Sequence, residues 1–328
     1  MVVKTKNPEA VAAATSVAAQ RWPHLLNELI HTVVDPHLAR PETRATAHDL
    51  IRALLAPLTR KNCWTLAEHT GHSAPYRMQH LLSRARLDEQ ALTVALRGYV
   101  TIRLGCDDVV LVVDETGDVK KGQSTVGVAR QYSGTAGRTE NCQVAVYLAY
   151  TTPNGHALID HRLYLPRAWT DDAARLQRAG VRWVLIRRNR TTAELAFYRC
   201  YAPEPVPLAR LVAVAGRRWR VEESFQQGKG LAGLDEHQVR AWTSWQRWSL
   251  LAMVAYAFVA VCRQAELRRY PVPDGLVALT CNEIARLLHA LFASRPDAGH
   301  VLAWSVFRHA HQARARDWHY RRQTARES

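Results

Sequence analysis

The sequence predicts an α/β protein, a mixed sheet core flanked by helical N- and C-terminal regions. Three observations carry that reading. Residues 1–104 are Ala-rich and helically periodic, with no alternating run. Residues 105–203 hold several short β-branched runs. From Leu208 the helical period returns and persists to a basic end. These changes of period divide the chain into a helical region over 1–104, a core over 105–230 and a second helical region over 231–328.

Within the first region, "TLAEHTGHSAPYRMQHLLSRAR" (65–86) predicts helix, turn, helix. Thr65–His69 forms the first helix, Gly71 permits the turn, Ser73 caps the second helix and Pro75 sits in its first turn. The second helix then exposes Arg77, His80, Arg84 and Arg86, as a DNA-reading helix would, with Arg84 a candidate DNA contact. An ordinary helical packing unit carries the same pattern.

In the core, "DDVVLVVDETG" (107–117) predicts a buried strand that ends in acids and Gly. "VGVARQYSG" and "NCQVAVYLAYTT" alternate on either side of the turn "GTAGRTE". Further strands are predicted at 156–166, 182–189 and 195–203, followed by a long helix over 208–228. Beyond it, the apolar run "SLLAMVAYAFVAVC" (249–262) is short for a bilayer and suits a buried helix. Trp242, Trp245 and Trp248, three residues apart, read as core packing. The end of the chain, 308–326, sets six Arg against Asp317 and reads as a flexible phosphate clamp or a solvated terminus.

Charge narrows the function. The chain carries 44 Lys plus Arg against 29 Asp plus Glu, a net of +15, and all but six of the basic residues are Arg. The planar guanidinium suits phosphate, so a nucleic-acid partner is expected; an Arg-rich composition with no special partner is the plainer alternative. Six cysteines stand singly with no CxxC, which argues against a zinc ribbon or disulfide scaffold and for a reducing compartment. No compact Leu-rich leader opens the sequence, so a cytoplasmic, nucleoid-associated protein with no membrane partner is expected. The sequence holds no Walker loop, GxGxxG or GxSxG, which leaves NTP hydrolysis, dinucleotide binding and α/β-hydrolase chemistry unsupported. The 15 His show no HExxH and no tidy ligand pair.

Two carboxylates stand out. Asp114 follows "VLVV" directly, at the mouth of the predicted strand, with Lys120 and Lys121 close behind. There it either holds a hard cation, pairs with a base, or caps a turn. Glu222 lies in "RRWRVEESFQQGKG" (217–230). At 100° per residue, Arg218, Glu222, Phe225 and Lys229 fall within roughly 60° of one another on a helix. That stripe is either a solvated ion-pair ladder or a carboxylate held toward a site. A strand Asp plus a helix Glu framed by Arg and Lys is the layout of a metal-ion nuclease.

The spacing Arg218, Glu222, Lys229 within "RWRVEESF" resembles the third-carboxylate region of bacterial insertion-sequence transposases, the DDE enzymes with an RNase H-like core. "VLVVDETGDVKKG", "VGVARQYSGTAGRTENCQVAVYLAY", "LYLPRAWTDD", "GLDEHQVRAWTSWQRW" and "RHAHQARARDWHYRR" resemble further segments of one branch, so the likeness runs from about residue 40 to 322. Ala215 stands where the fuller motif has Tyr. The resemblance implies an RNase H-like core, Asp114 and Glu222 as catalytic, metal-holding carboxylates for Mg²⁺ or Mn²⁺, and Arg218 and Lys229 on the phosphates of double-stranded transposon-end DNA. A homodimer is left open. Lys120, Lys121 and Arg84 are the further DNA contacts expected.

One part of the family pattern is missing. The second Asp should follow a later strand, yet "LYLPRAWTDDAARLQRAG" passes straight into "VRWVLIRRN", with the join near Gly180 or Val181. Asp160 and Asp171 are the remaining candidates, although Asp171 and Asp172 read more simply as a helix N-cap. The core is therefore expected to be incomplete and the protein impaired in catalysis. The alternative is a non-catalytic DNA-binding protein, a repressor that competes for the same transposon ends.

Overall fold

The computed structural model describes residues 19–166, 183–188, 195–200, 217, 219–269, 272, 277–292 and 296–327. The chain divides into two compact units, Met1–Tyr99 with Gln227–Ser328, and Val100–Gln226. The helical flanks that lie far apart in sequence thus share one unit, and the sheet occupies the other. Helices and a four-stranded sheet make the fold α/β with an incomplete RNase H-like core and helical flanks, as expected.

The helical unit is built around α7 (Trp242–Arg269), which packs against α1 (Trp22–Leu29), α2 (Pro41–Leu54), α4 (Tyr76–Ser83) and α8 (Cys281–Phe292). Nearly every residue from Ser244 to Glu266 is buried, which accounts for the long apolar run. A helix covered on all sides must satisfy its polar groups internally. Trp22 Nε1 donates to Glu266 Oε1 at 2.9 Å, and Arg247 donates to Oε1 of Glu89, the first residue of α5 (Glu89–Leu104), at 2.6 Å and to the Leu81 carbonyl at 3.0 Å. Trp245 and Trp248 are core residues, but Trp242 is 38% exposed and lies at the rim.

α3 (Cys63–His69) opens on a capping box: Asn62 Oδ1 accepts from the amides of Trp64 and Thr65, while Thr65 Oγ1 accepts from the Asn62 amide. Gly71, at φ 80°, makes the turn that the sequence assigned to it. α4 begins after Pro75 with no side-chain cap, so Ser73 is not the cap: Pro75 itself occupies that position. Arg77, His80, Arg84 and Arg86 are exposed as expected. The chain's last described element, α9 (Ala298–Glu327), is a continuous helix rather than a flexible clamp. Trp304 and Phe307 seat its first half on Trp64 of α3, with ring centroids 6.1 and 5.4 Å away. From His309 to Gln323 every side chain is exposed.

In the sheet unit, β1 (Val110–Val119) and the long β3 (Arg138–Thr152) pair antiparallel, with Asp114 opposite Tyr147. β3 takes β2 (Ala129–Ser133) and β4 (Gly155–Leu163) on its other edge, β2 near its start and β4 along the rest. A second sheet pairs β5 (Trp183–Arg188) with β6 (Leu195–Cys200). All these ladders are antiparallel. β1 is half-buried rather than buried: Val110, Val112 and Thr116 are covered while Leu111, Val113 and Glu115 face outward. Burial alternates as one covered face requires, although Val110–Val113 are all apolar, so Leu111 and Val113 are apolar residues on the open face. Gly117 is needed for a close approach, because a Cβ there would lie 2.4 Å from Ser133 Oγ.

Candidate active site

Period-two alternation puts Asp114 on the covered face of the sheet with Val112 and Thr116. It sits in the middle of β1, not at the end of a strand, because pairing with β3 continues through Thr116, Gly117 and Asp118 to Val119. Its side chain is half-buried, and its Oδ1 accepts from the Glu115 amide at 3.0 Å. Across the ladder stands Tyr147, 2% exposed, and beyond it His161 of β4, whose ring stacks on Tyr147 with centroids 6.0 Å apart. Asp114, Tyr147 and His161 therefore form one row across three strands.

α6 (Trp219–Ala232) lies on that face. Phe225 is buried and meets Tyr147 edge-on, with ring centroids 5.6 Å apart. One residue earlier, Ser224 Oγ is 2.7 Å from His156 Nδ1, and the other ring nitrogen of His156 is 3.2 Å from Glu223 Oε2. A proton on His156 Nε2 pointing at Glu223 satisfies both contacts, whichever of Ser224 and His156 donates in the first. Arg220 reaches Glu223 from the preceding turn at 2.8 Å. Before the helix, Arg217 clasps the carboxylate and the carbonyl of Asp108. The Asp108 carboxylate is the main reason that the Arg217 guanidinium is held above its ordinary pKa.

These contacts fix where Glu222 falls. It is half-buried, one helical turn before Phe225, so the Tyr147–Phe225 contact ties the strand position of Asp114 to the helical turn of Glu222. Asp114 is the cross-strand neighbour of Tyr147 and Glu222 lies one turn before Phe225; two partly exposed carboxylates supply hard oxygen donors, and that donor chemistry fits Mg²⁺ or Mn²⁺. Asp160 does not add a third. It pairs with Leu148 on β3, next to the Tyr147–His161 pair, so strand alternation puts it on the face opposite Tyr147 and Asp114. There it accepts from Arg162 at 2.7 Å. Asp171 and Asp172, like Arg218, lie outside the described residues.

Within the sheet unit, Lys120 and Lys121 lie away from Asp114. β1 is extended, so Lys120 lies roughly 20 Å along the strand from Asp114, at about 3.3 Å per residue. Its amide donates instead to the Asn141 carbonyl at 2.9 Å. Lys121 is exposed beyond it. Lys229, half-buried, and Arg84, exposed at the C-cap of α4, belong to the helical unit. The sequence reading missed His156, Ser224, Glu223 and the Arg217–Asp108 pair. Polar residues packed beside Phe225 were the one available signal, and nothing in the sequence paired them with a His 68 residues away.

The family model for a DDE superfamily endonuclease matches residues 33–223, a span that includes both Asp114 and Glu222. A probable transposase for insertion sequence element IS701 from Microchaete diplosiphon is 36% identical over 93 residues. That match covers 28% of this chain and 24% of the relative, so the chain spans about a quarter of the length of the curated relative it matches.

Proposed function

Because the chain belongs to the DDE superfamily endonucleases, we propose that it acts on transposon-end DNA as a transposase-family protein with impaired catalysis. The observation that carries this reading is the Tyr147–Phe225 contact, which joins the strand partner of Asp114 to the helix of Glu222, with Asp160 turned to the other face. Asp114 and Glu222 are the residues that would hold Mg²⁺ or Mn²⁺. When bound, such ions polarise a scissile phosphodiester and lower the pKa of water or of a 3′-hydroxyl. A site short of one carboxylate holds its ions weakly, which is the reason for the impairment. A net charge of +15 and the exposed Arg of α4 and α9 supply the polyanion attraction. Lys120, Lys121, Arg84, Arg218 and Lys229 are the residues assigned to DNA in this reading. The alternative, a non-catalytic protein that competes for the same ends, rests on the same surfaces.

Labelled element-end duplex, incubated with the protein and Mg²⁺ or Mn²⁺, tests both halves. A retarded complex with little or no nicking is expected. Rapid nicking that vanishes in Asp114→Asn and in Glu222→Gln would overturn the impairment. The absence of any retarded complex would overturn the assignment to DNA.

A further inference from the structure

Away from the carboxylate pair, three side chains of the helical unit converge at the end of α1. The helix does not stop cleanly at Leu29: the chain widens into a π-helical turn, Ile30–Val34, and then tightens into a 3₁₀ turn, Asp35–His37. Ile30, Val33 and Val34 bury the apolar side of this turn. His31 and Asp35, four residues apart, project from the other side, and His48 reaches them from the middle of α2.

The geometry is that of three ligands. His31 Nδ1 is 2.6 Å from Asp35 Oδ2, and His48 Nε2 is 2.6 Å from Asp35 Oδ1. The ligand atoms of all three residues lie within 4.8 Å of one another. The imidazole planes stand at 80° with centroids 5.4 Å apart, so the two rings approach the carboxylate from different directions. Asp35 and His48 are each 16% exposed and held in place, whereas His31 is 62% exposed and opens the cluster to solvent. Single-turn departures from α-helical geometry are frequent where a helix builds a site, and here the π turn carries His31 while the 3₁₀ turn directly after it carries Asp35.

We propose that His31, Asp35 and His48 bind a late first-row divalent cation, zinc being the best fit, which clamps the turn after α1 to α2. Two imidazole nitrogens and a carboxylate form the donor set that zinc accepts and that Mg²⁺ avoids. Around zinc, donors about 2.0–2.1 Å from the metal stand roughly 3.3 Å from one another, so a small opening of the two 2.6 Å contacts admits the ion. Each neutral imidazole coordinates through the nitrogen that faces Asp35 and carries its proton on the other ring nitrogen, His31 on Nε2 and His48 on Nδ1, so the proton moves across the ring and no imidazolate forms. The remaining coordination position belongs to water on the His31 side. The site is independent of Asp114 and Glu222 and takes a different metal.

Metal-stripped full-length protein titrated with Co²⁺, read by its visible absorption, and with Zn²⁺ against a chromogenic chelator, tests this directly. One equivalent of tightly held Zn²⁺ is expected, with a Co²⁺ spectrum typical of four or five ligands. Loss of an outer partner weakens metal sites by about 10–100-fold, so Asp35→Asn and His48→Ala should each weaken binding by at least about 100-fold. His31→Ala, at an exposed position where misfolding is no concern, should weaken it by at least about tenfold, and His24→Ala should leave it unchanged. Circular dichroism of the stripped variants controls for folding. Zinc binding that persists undiminished in His31→Ala and His48→Ala, or the absence of saturable binding by the stripped protein, would overturn the site. Either result would leave the DNA reading untouched, since the measurement contains no DNA.

Discussion

Tyr147 meets Phe225 edge to face, and this one contact joins the central strand of the sheet to the helix that carries Glu222. Tyr147 is 2% exposed and Phe225 5%, so the contact is sealed from water. Phe225→Ala should cost about 3–5 kcal/mol, the usual loss for an emptied aromatic site, while Phe225→Leu should cost roughly half as much. Denaturant unfolding followed by tryptophan fluorescence would measure both. A cost below 1 kcal/mol for Phe225→Ala would show that α6 is not held by this ring.

Gly117→Ala should destabilise the sheet unit by about 1–3 kcal/mol, because the new methyl group would overlap Ser133 where β1 passes the turn after β2. The overlap is with a side chain and not with backbone. The double variant Gly117→Ala/Ser133→Gly should therefore recover most of the loss, and a thermal melt of the two variants side by side decides it. If the double variant is no more stable than the single one, the tight approach is not the reason for Gly117.

Burial raises the thiol of Cys63 to a pKa of about 12 and that of Cys281 to about 11, from an ordinary 9.0. In the folded protein both stay protonated at pH values where the unfolded chain has already ionised. The unfolded state then binds fewer protons, so this stabilisation is complete below pH 9 and is lost as pH rises toward 11 and 12. Each thiol contributes a slope of up to about 1.4 kcal/mol per pH unit in that window. Urea midpoints measured from pH 8 to 10.5 should fall, and the fall should flatten in Cys63→Ala/Cys281→Ala.

Arg84 is exposed at the end of α4, in the helical unit that also carries Lys229. If it neutralises one phosphate, Arg84→Ala should lower the slope of log affinity against log salt by about 0.9, with equal loss on any duplex sequence. A loss confined to one end sequence would mark Arg84 as a base contact instead. An unchanged slope would remove it from the interface.

Much of the sheet was legible because half-buried strands repeat every second residue. The strand predicted over 156–166 is β4 at Gly155–Leu163, and the one over 182–189 is β5 at Trp183–Arg188. The error at Asp114 has the same origin. "DETGD" reads as a strand end because acids and Gly usually stop strands, but β1 continues through it, with Asp114 and Thr116 on the covered face and Glu115 on the open one. Glu222 was found through its spacing within one helix, a local signal. The His156–Ser224–Glu223 dock and the His31–Asp35–His48 cluster join separate elements. Local periodicity carries no record of which elements become neighbours, so neither could be read in advance.

The pairing of Trp22 with Glu266, 244 residues later, has a consequence for synthesis. At roughly 5–20 residues per second, the α1 and α2 segments wait about 10–40 s on the ribosome before α7 has been made. Their apolar faces stay open for that interval, while the sheet segment between them emerges and closes its antiparallel ladders first. Chaperone demand during translation should therefore fall on the first hundred residues, and a release that comes before α7 should leave a soluble-looking sheet joined to a sticky, unfinished bundle.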